Sequence, residues 1–135
     1  MAHFVLDSYA MLAYFRNEEG REKVEQLLND AVGNKHELYM TCINAGEVYY
    51  MAYRKDGVDK AALVWKALQQ FPIHITEVDM SFTNKAANIK ARYKLSYADA
   101  FAAALTIYKK AVLITGDFEF KALTGEPNFK VRFLQ

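Results

Sequence analysis

A single cysteine, Cys42, and three scattered histidines, His3, His36 and His74, are all that this 135-residue chain offers toward disulfides or zinc. One thiol closes no bridge within the chain and suits a reducing compartment. Zinc sites need clustered Cys and His ligands, which are missing here. Gly46 and Gly116 stand isolated, so there is no glycine-rich phosphate loop and no dinucleotide fingerprint. No Gly-x-Ser-x-Gly elbow is present to carry a serine nucleophile. A receiver-type phosphoacceptor pattern is also missing, because Ser8 follows Asp7 and no Lys accompanies Thr115-Gly116-Asp117. The longest apolar stretch, Ala98–Tyr108, is broken by Asp99 and Thr106 and is too short to cross a bilayer. Met1-Ala2-His3-Phe4 lacks the basic start and apolar run of a signal peptide. Charge of one sign is lacking too: 17 Lys and Arg against 16 Asp and Glu leave +1, which excludes a polybasic tail. These absences lead to the expectation of one soluble domain, 1–135, in the cytoplasm and without membrane association.

What the chain has in quantity is hydrophobic residues, at 53%, with 24% charged, a balance that excludes intrinsic disorder. A chain of this length buries about two-thirds of its unfolded surface. Short β-rich runs alternate with helix-period segments. His3–Leu6, Leu38–Ile43, Ile73–Val78, Val112–Thr115 and Val131–Leu134 read as strands. Between them, Val24, Leu27, Leu28, Ala31 and Val32 mark a helix closed by Gly33, and Ala45, Val48, Tyr49, Ala52 and Tyr53 mark another stopped by Gly57. Ala61, Trp65 and Leu68 precede Pro72, which ends a third helix. Phe82–Tyr93 and Ala98–Tyr108 supply two more, and Phe118–Leu123 a short one. Strands separated by helices imply parallel βαβ units with helices on both faces. Ligands in such sheets bind beyond the carboxyl ends of the strands.

Four acids fall near that edge. Asp7 follows the first strand, Glu47 lies one turn into the helix after the second, Asp99 opens the helix before the fourth, and Asp117 follows the fourth. Each has a structural explanation. Asp7 and Asp117 are suitable helix caps, and Asn44–Glu47 and Ser96–Asp99 both have capping-box spacing. Asp79, after the third strand, is assigned the same kind of role, as the cap of the Phe82–Tyr93 helix. Taken together, the four site acids are harder to explain in this way. Within about 6 Å of one another, each pair would repel by roughly 3 kcal/mol, and the set by on the order of 15 kcal/mol. That exceeds the stability of an ordinary domain, so either the acids splay apart or a hard divalent cation, Mg²⁺ or Mn²⁺, holds them.

Four segments carry a resemblance: Phe4–Ala10, Asn44–Tyr50, Ser96–Ala104 and Leu113–Asp117. In order and spacing they resemble the PIN domain, and more closely the VapC-type toxins of toxin–antitoxin pairs. The resemblance implies a three-layer α/β/α sandwich with a central parallel sheet and a metal-dependent ribonuclease activity. By position, Asp7, Glu47, Asp99 and Asp117 would be its catalytic and metal-binding quartet, with Thr115 and Glu119 in support. Phe118 departs from the family, in which proline is frequent there. The resemblance further implies a homodimer held inactive by a cognate antitoxin protein.

An RNA substrate needs cations to meet it. Lys85, Lys90, Arg92 and Lys94 cluster before Asp99 and are candidate phosphate contacts, against the alternative of a solvated helix face. Residues 1–50 carry 4 basic and 8 acidic groups, net −4, while 51–135 carry 13 and 8, net +5. The neutral total therefore hides a basic second part. Two other readings stay open at this stage: a non-enzymatic binding module whose acids are mere caps, and a nuclease directed at DNA.

Overall fold

Alternation along the strands decides which side of the sheet each residue faces. In the computed structural model, which describes all residues 1–135, β1 (Ala2–Leu6) sends Phe4 and Leu6 to one face and Val5 to the other. β2 (His36–Thr41) does the same with Leu38 and Met40 against Tyr39, and β4 (Val112–Thr115) with Ile114 against Leu113. Two cores result. Phe4, Leu6, Leu38, Met40 and Ile114 pack under α1 (Ser8–Phe15), α2 (Arg21–Val32), α3 (Cys42–Asp56) and α4 (Val58–Gln70). Val5, Tyr39 and Leu113 pack under α5 (Met80–Arg92) and α6 (Tyr97–Tyr108). Both faces of the sheet are thus covered, which a parallel sheet with helical crossovers requires. The expected three-layer α/β/α sandwich is what the chain forms.

Including β3 (Ile73–Thr76) and β5 (Val131–Phe133), the five strands are all parallel in the order β3-β2-β1-β4-β5. The register pairs Val5 with Tyr39 on one side of β1, and Leu6 with Ile114 on the other. The chain builds outward from β1 to β3, then returns to β4 on the opposite side of β1. The gap between the carboxyl ends of β1 and β4 is therefore the topological switch point, where such sheets open a crevice.

Only β4 keeps its expected bounds: β1 begins one residue earlier, β2 begins at His36, β5 ends one residue earlier, and the carboxyl ends of β2 and β3 each fall two residues short. β2 ends at Thr41 rather than Ile43, because the Thr41 hydroxyl accepts from Asn44 N at 3.0 Å and caps α3. Cys42 and Ile43 are drawn into the first helical turn, and Asn44 is not the cap that its spacing from Glu47 suggests. β3 stops at Thr76 instead of Val78, where its pairing with Thr41 of β2 runs out. Asp79 caps α5 as expected, accepting from Phe82 N at 2.8 Å. The short helix at Phe118–Leu123 is a 3₁₀ turn started by Asp117.

Candidate functional site

Each acid near the switch point is placed by its own local hydrogen bonds. Asp7 leaves β1 in extended geometry and caps α1, its Oδ1 accepting from Ala10 N at 2.9 Å. Its other oxygen, Oδ2, accepts from the Thr115 hydroxyl at 2.5 Å, and that hydroxyl accepts from Asp117 N at 3.0 Å. Thr115 therefore ties the last residue of β4 to both neighbouring acids. Asp117 in turn caps the 3₁₀ turn by accepting from Glu119 N at 2.9 Å. Asp99 sits in the first turn of α6, where its backbone N–H is capped by Ser96 Oγ at 3.1 Å.

These elements bring the acids together. One carboxylate oxygen from each of Asp99, Asp117 and Glu119 lies within 4.8 Å of the others. Glu47 joins them on the wall of a cleft of about 280 Å³, shared with Ser8, Tyr9, Leu12, Met51 and Ser96. Asp7, only 1% exposed, lies next to the cleft wall supplied by Ser8 and Tyr9 and is close enough to feel the charges of Asp99 and Asp117. No Lys, Arg or His lines the cleft, and none of these five acids is in an ion pair.

The electrostatic consequence appears in the two most buried acids. Burial, reinforced by Asp99 and Asp117, pushes the Asp7 carboxyl up to about 7 despite the opposing hydrogen bonds from Thr115 and Ala10. Burial and the charge of Asp117 raise Asp99 to about 6, with smaller pushes from Glu47 and Glu119 and an opposing hydrogen bond from Ser96. Two unit charges 4.8 Å apart repel by roughly 3 kcal/mol at an effective dielectric near 20. Three such pairs approach 10 kcal/mol, on the scale of a whole domain's stability. Hard oxygen donors with no protein cation among them fit a divalent ion such as Mg²⁺ or Mn²⁺. With no thiolate or imidazole among them, these donors suit a soft metal poorly.

The structure also supplies contacts that sequence reasoning missed. The Ser8 hydroxyl donates a short hydrogen bond to Glu47 Oε1, so the residue after Asp7 orients an acid 39 positions away. Asn44, fully buried, donates from Nδ2 to the Ala98 carbonyl at 3.1 Å, fastening the first turn of α3 beside Asp99. The Tyr9 ring packs against Gly116. A Cβ there would sit 2.1 Å from Tyr9 Cε1, so only glycine permits this approach. Local signals existed for Ser8 and Gly116, which adjoin Asp7 and Asp117. None existed for the Asn44 contact.

The candidate phosphate contacts lie elsewhere. Arg92 is held by Glu126 through both guanidinium nitrogens, at 2.8 and 2.9 Å, and Tyr93 donates to the same carboxylate. These bonds pull Glu126 down to about 2. Lys85 lies over the Tyr108 ring at 4.9 Å, and with Arg92 it lines a separate cleft of about 330 Å³ between α5 and α6. Lys90 and Lys94 are exposed and outside any ion pair. None of the four reaches the acidic cleft.

Comparison with known proteins bears on the fold and the family. No curated protein matches the chain in sequence. Among solved structures, the DNA-bound VapBC of Salmonella typhimurium is similar at a TM-score of 0.75, with 16% identity over 100% of both chains. VapC20 of Mycobacterium tuberculosis, described as a sarcin-ricin loop cleaving toxin, gives 0.73 and 16% over 90% of this chain and 95% of its own. FitAcB of Neisseria gonorrhoeae gives 0.68 and 18% over 95% of each. At such identities these likenesses concern the fold. The family assignment rests on the PIN domain model, which matches residues 4–126 and so spans Asp7, Glu47, Asp99 and Asp117. The chain belongs to the PIN domain family.

Proposed function

We propose that this protein is a divalent-metal-dependent endoribonuclease, the VapC-type toxin of a toxin–antitoxin pair. The observation that carries the proposal is one cleft lined by Glu47, Asp99, Asp117 and Glu119, with Asp7 buried near enough to feel Asp99 and Asp117, and with no protein cation on its wall. Asp99, Asp117 and Glu119 would hold the ion, with Asp7 beside them. Bound Mg²⁺ or Mn²⁺ would lower the pKa of its water and neutralise charge at the phosphate. Glu47, hydrogen-bonded by Ser8, would position a water and take its proton. Thr115 keeps Asp7 and the Asp117 backbone in fixed relation. In-line attack of water on phosphorus adds hydroxide there and returns the proton to the departing 3′ oxygen. The products are 3′-hydroxyl and 5′-phosphate ends.

RNA is favoured as substrate because the similar VapC20 is described as cleaving the sarcin-ricin loop. An inhibitory antitoxin partner is favoured because several similar structures are toxin–antitoxin complexes. Homodimerisation and action in the cytoplasm complete the proposal; no helix is long and apolar enough to cross a membrane. Lys85, Lys90 and Lys94 remain candidates for distant phosphate contact, while Arg92 would have to leave Glu126 to take part.

The test uses the purified chain, labelled RNA and either Mg²⁺ or Mn²⁺. Cleavage that requires the metal, leaves 5′-phosphates and disappears in Asp99→Asn supports the proposal. Metal-independent cleavage, or full activity in Asp99→Asn, contradicts it. A binding module whose acids only cap helices would show neither cleavage nor metal-dependent stabilisation.

A further inference from the structure

A protein interior admits a polar side chain only where hydrogen bonds offset its desolvation. Thr106 is one such residue, donating to the Ala102 carbonyl of its own helix at 2.9 Å. Every other buried polar or charged residue lies at or just beyond the carboxyl end of a strand, or in the first turn of a helix. Asp7, Ser8, Asp99 and Thr115 already take part in the site. Thr41 and Asn44 do not, although both are fully buried, and neither reaches the cleft wall. Their hydrogen bonds run in one chain through three elements. The Thr41 hydroxyl, at the end of β2, accepts from Asn44 N at 3.0 Å and donates to Asn44 Oδ1 at 2.5 Å. Asn44 Nδ2 then donates to the Ala98 carbonyl in α6 at 3.1 Å. The amide has one orientation, since turned over it would set Oδ1 against that carbonyl, acceptor against acceptor.

Capping α3 requires only the bond from Asn44 N. The bond to Ala98 does something else: it is the one side-chain hydrogen bond between α3 and α6, and it joins residues 54 positions apart. Asn44 stands one turn before Glu47 on α3, and Ala98 stands directly before Asp99 on α6. The tie therefore lies between the backbones that carry two site acids, and the Glu47 charge is close enough to act on Asp99. That repulsion pushes the two helix starts apart when no ion lies between them. A lysine or arginine in the gap would hold them, but it would also neutralise the acids and compete with a divalent cation. A neutral amide resists the repulsion without adding charge. We infer that Asn44 is a positioning residue: it sets the separation of Glu47 from Asp99, and with it the geometry that the acids offer a divalent ion. The inference rests on the metal-dependent reading and adds to it a residue outside the cleft, which acts through the two acids.

The experiment titrates Mn²⁺ into the metal-free full-length protein by calorimetry, after melting curves have shown which variants are folded. Asn44→Ala and Asn44→Leu, the second of similar volume to asparagine, are each expected to weaken Mn²⁺ binding by about 10- to 100-fold, the range for groups that orient metal ligands. Thr41→Ser keeps the hydroxyl that fixes the amide and stays near wild type. Thr106→Ala removes the buried hydroxyl that lies away from the cleft. It is expected to lower the melting temperature yet bind Mn²⁺ as the wild type does, which separates positioning from a general loss of stability. At saturating Mn²⁺ the Asn44 variants should cut labelled RNA with reduced kcat and a KM near wild type, because the residue touches no substrate. Unchanged Mn²⁺ affinity in a folded Asn44 variant, or an equal loss in Thr106→Ala, overturns the inference. Failure of both Asn44 variants to fold, with Thr106→Ala folded, assigns Asn44 to the core and overturns it as well. Absence of Mn²⁺ binding by the wild type instead overturns the metal-dependent reading beneath it.

Discussion

Raising the pH on the metal-free protein perturbs the site without touching its sequence. Asp7 titrates near 7 in the folded chain against an ordinary value of 3.8. Between those values the folded state binds more protons than the unfolded state, so stability falls as pH rises. The loss is absent below about pH 4 and complete above about 7. At about 1.4 kcal/mol per pH unit, ionising Asp7 in place costs roughly 4 kcal/mol. Asp99, raised to about 6, acts in the same direction. Glu126, held near 2, and Glu37, held below its ordinary value, act in the opposite direction, and their effect is finished by about pH 5. The window from 5 to 7 therefore reports on the site. Metal-free melting temperature should fall across it by roughly 10 °C. Mn²⁺ competes with the protons and should flatten the fall, adding about 2.7 kcal/mol at 100 times its Kd near pH 8. Asp7→Asn should remove most of the slope and melt above wild type at pH 8 without metal. Differential scanning fluorimetry with chelator and with Mn²⁺ reads all three. A metal-free melting temperature that is flat or rises from pH 5 to 7 would refute the electrostatic account.

Four other outcomes follow from single contacts. Thr115→Val removes the hydroxyl between Asp7 and Asp117 N and should weaken Mn²⁺ binding by about 10- to 100-fold, measured by calorimetric titration. Gly116→Ala should destabilise by about 1–3 kcal/mol in denaturant melts because its Cβ meets the Tyr9 ring, and Tyr9→Ala in the same chain should restore most of the loss. Asp79→Ala should cost about 1 kcal/mol as a lost helix cap while leaving metal-dependent cleavage intact, which separates a capping acid from a site acid. RNA binding should weaken steeply between 50 and 200 mM salt, and Lys85→Ala with Lys90→Ala should reduce that slope; a gel-shift series with unchanged slope would remove these lysines from the RNA path.

The architecture was readable because alternating apolar strands and helix-period segments are local patterns. The site acids could be found for the same reason: Asp7 and Asp117 each follow a strand, and Glu47 and Asp99 each lie in the first turns of a helix. What could not be read were choices between equivalent local options and contacts across the fold. Thr41 and Asn44 are both good caps, and it is Thr41 whose hydroxyl accepts from Asn44 N and so ends the strand. Ser8 meets Glu47 and Asn44 meets Ala98 through the packing of α3 on α1 and α6, which has no signature in spacing. Glu119 seemed secondary to the other acids, but the 3₁₀ turn that Asp117 caps brings it within 4.8 Å of Asp99 and Asp117. The pairing of Arg92, a candidate phosphate contact, with Glu126 has no local signature because the two lie 34 residues apart.

Cleavage of a labelled single-stranded RNA by the wild-type protein and by Asp99→Asn, each with Mn²⁺ and with excess chelator, tests the central claim most directly. The account predicts 5′-phosphate products from the wild type with Mn²⁺ alone and none from Asp99→Asn, although the variant melts cooperatively. Cleavage that persists in chelator, or equal cleavage by the variant, would contradict it.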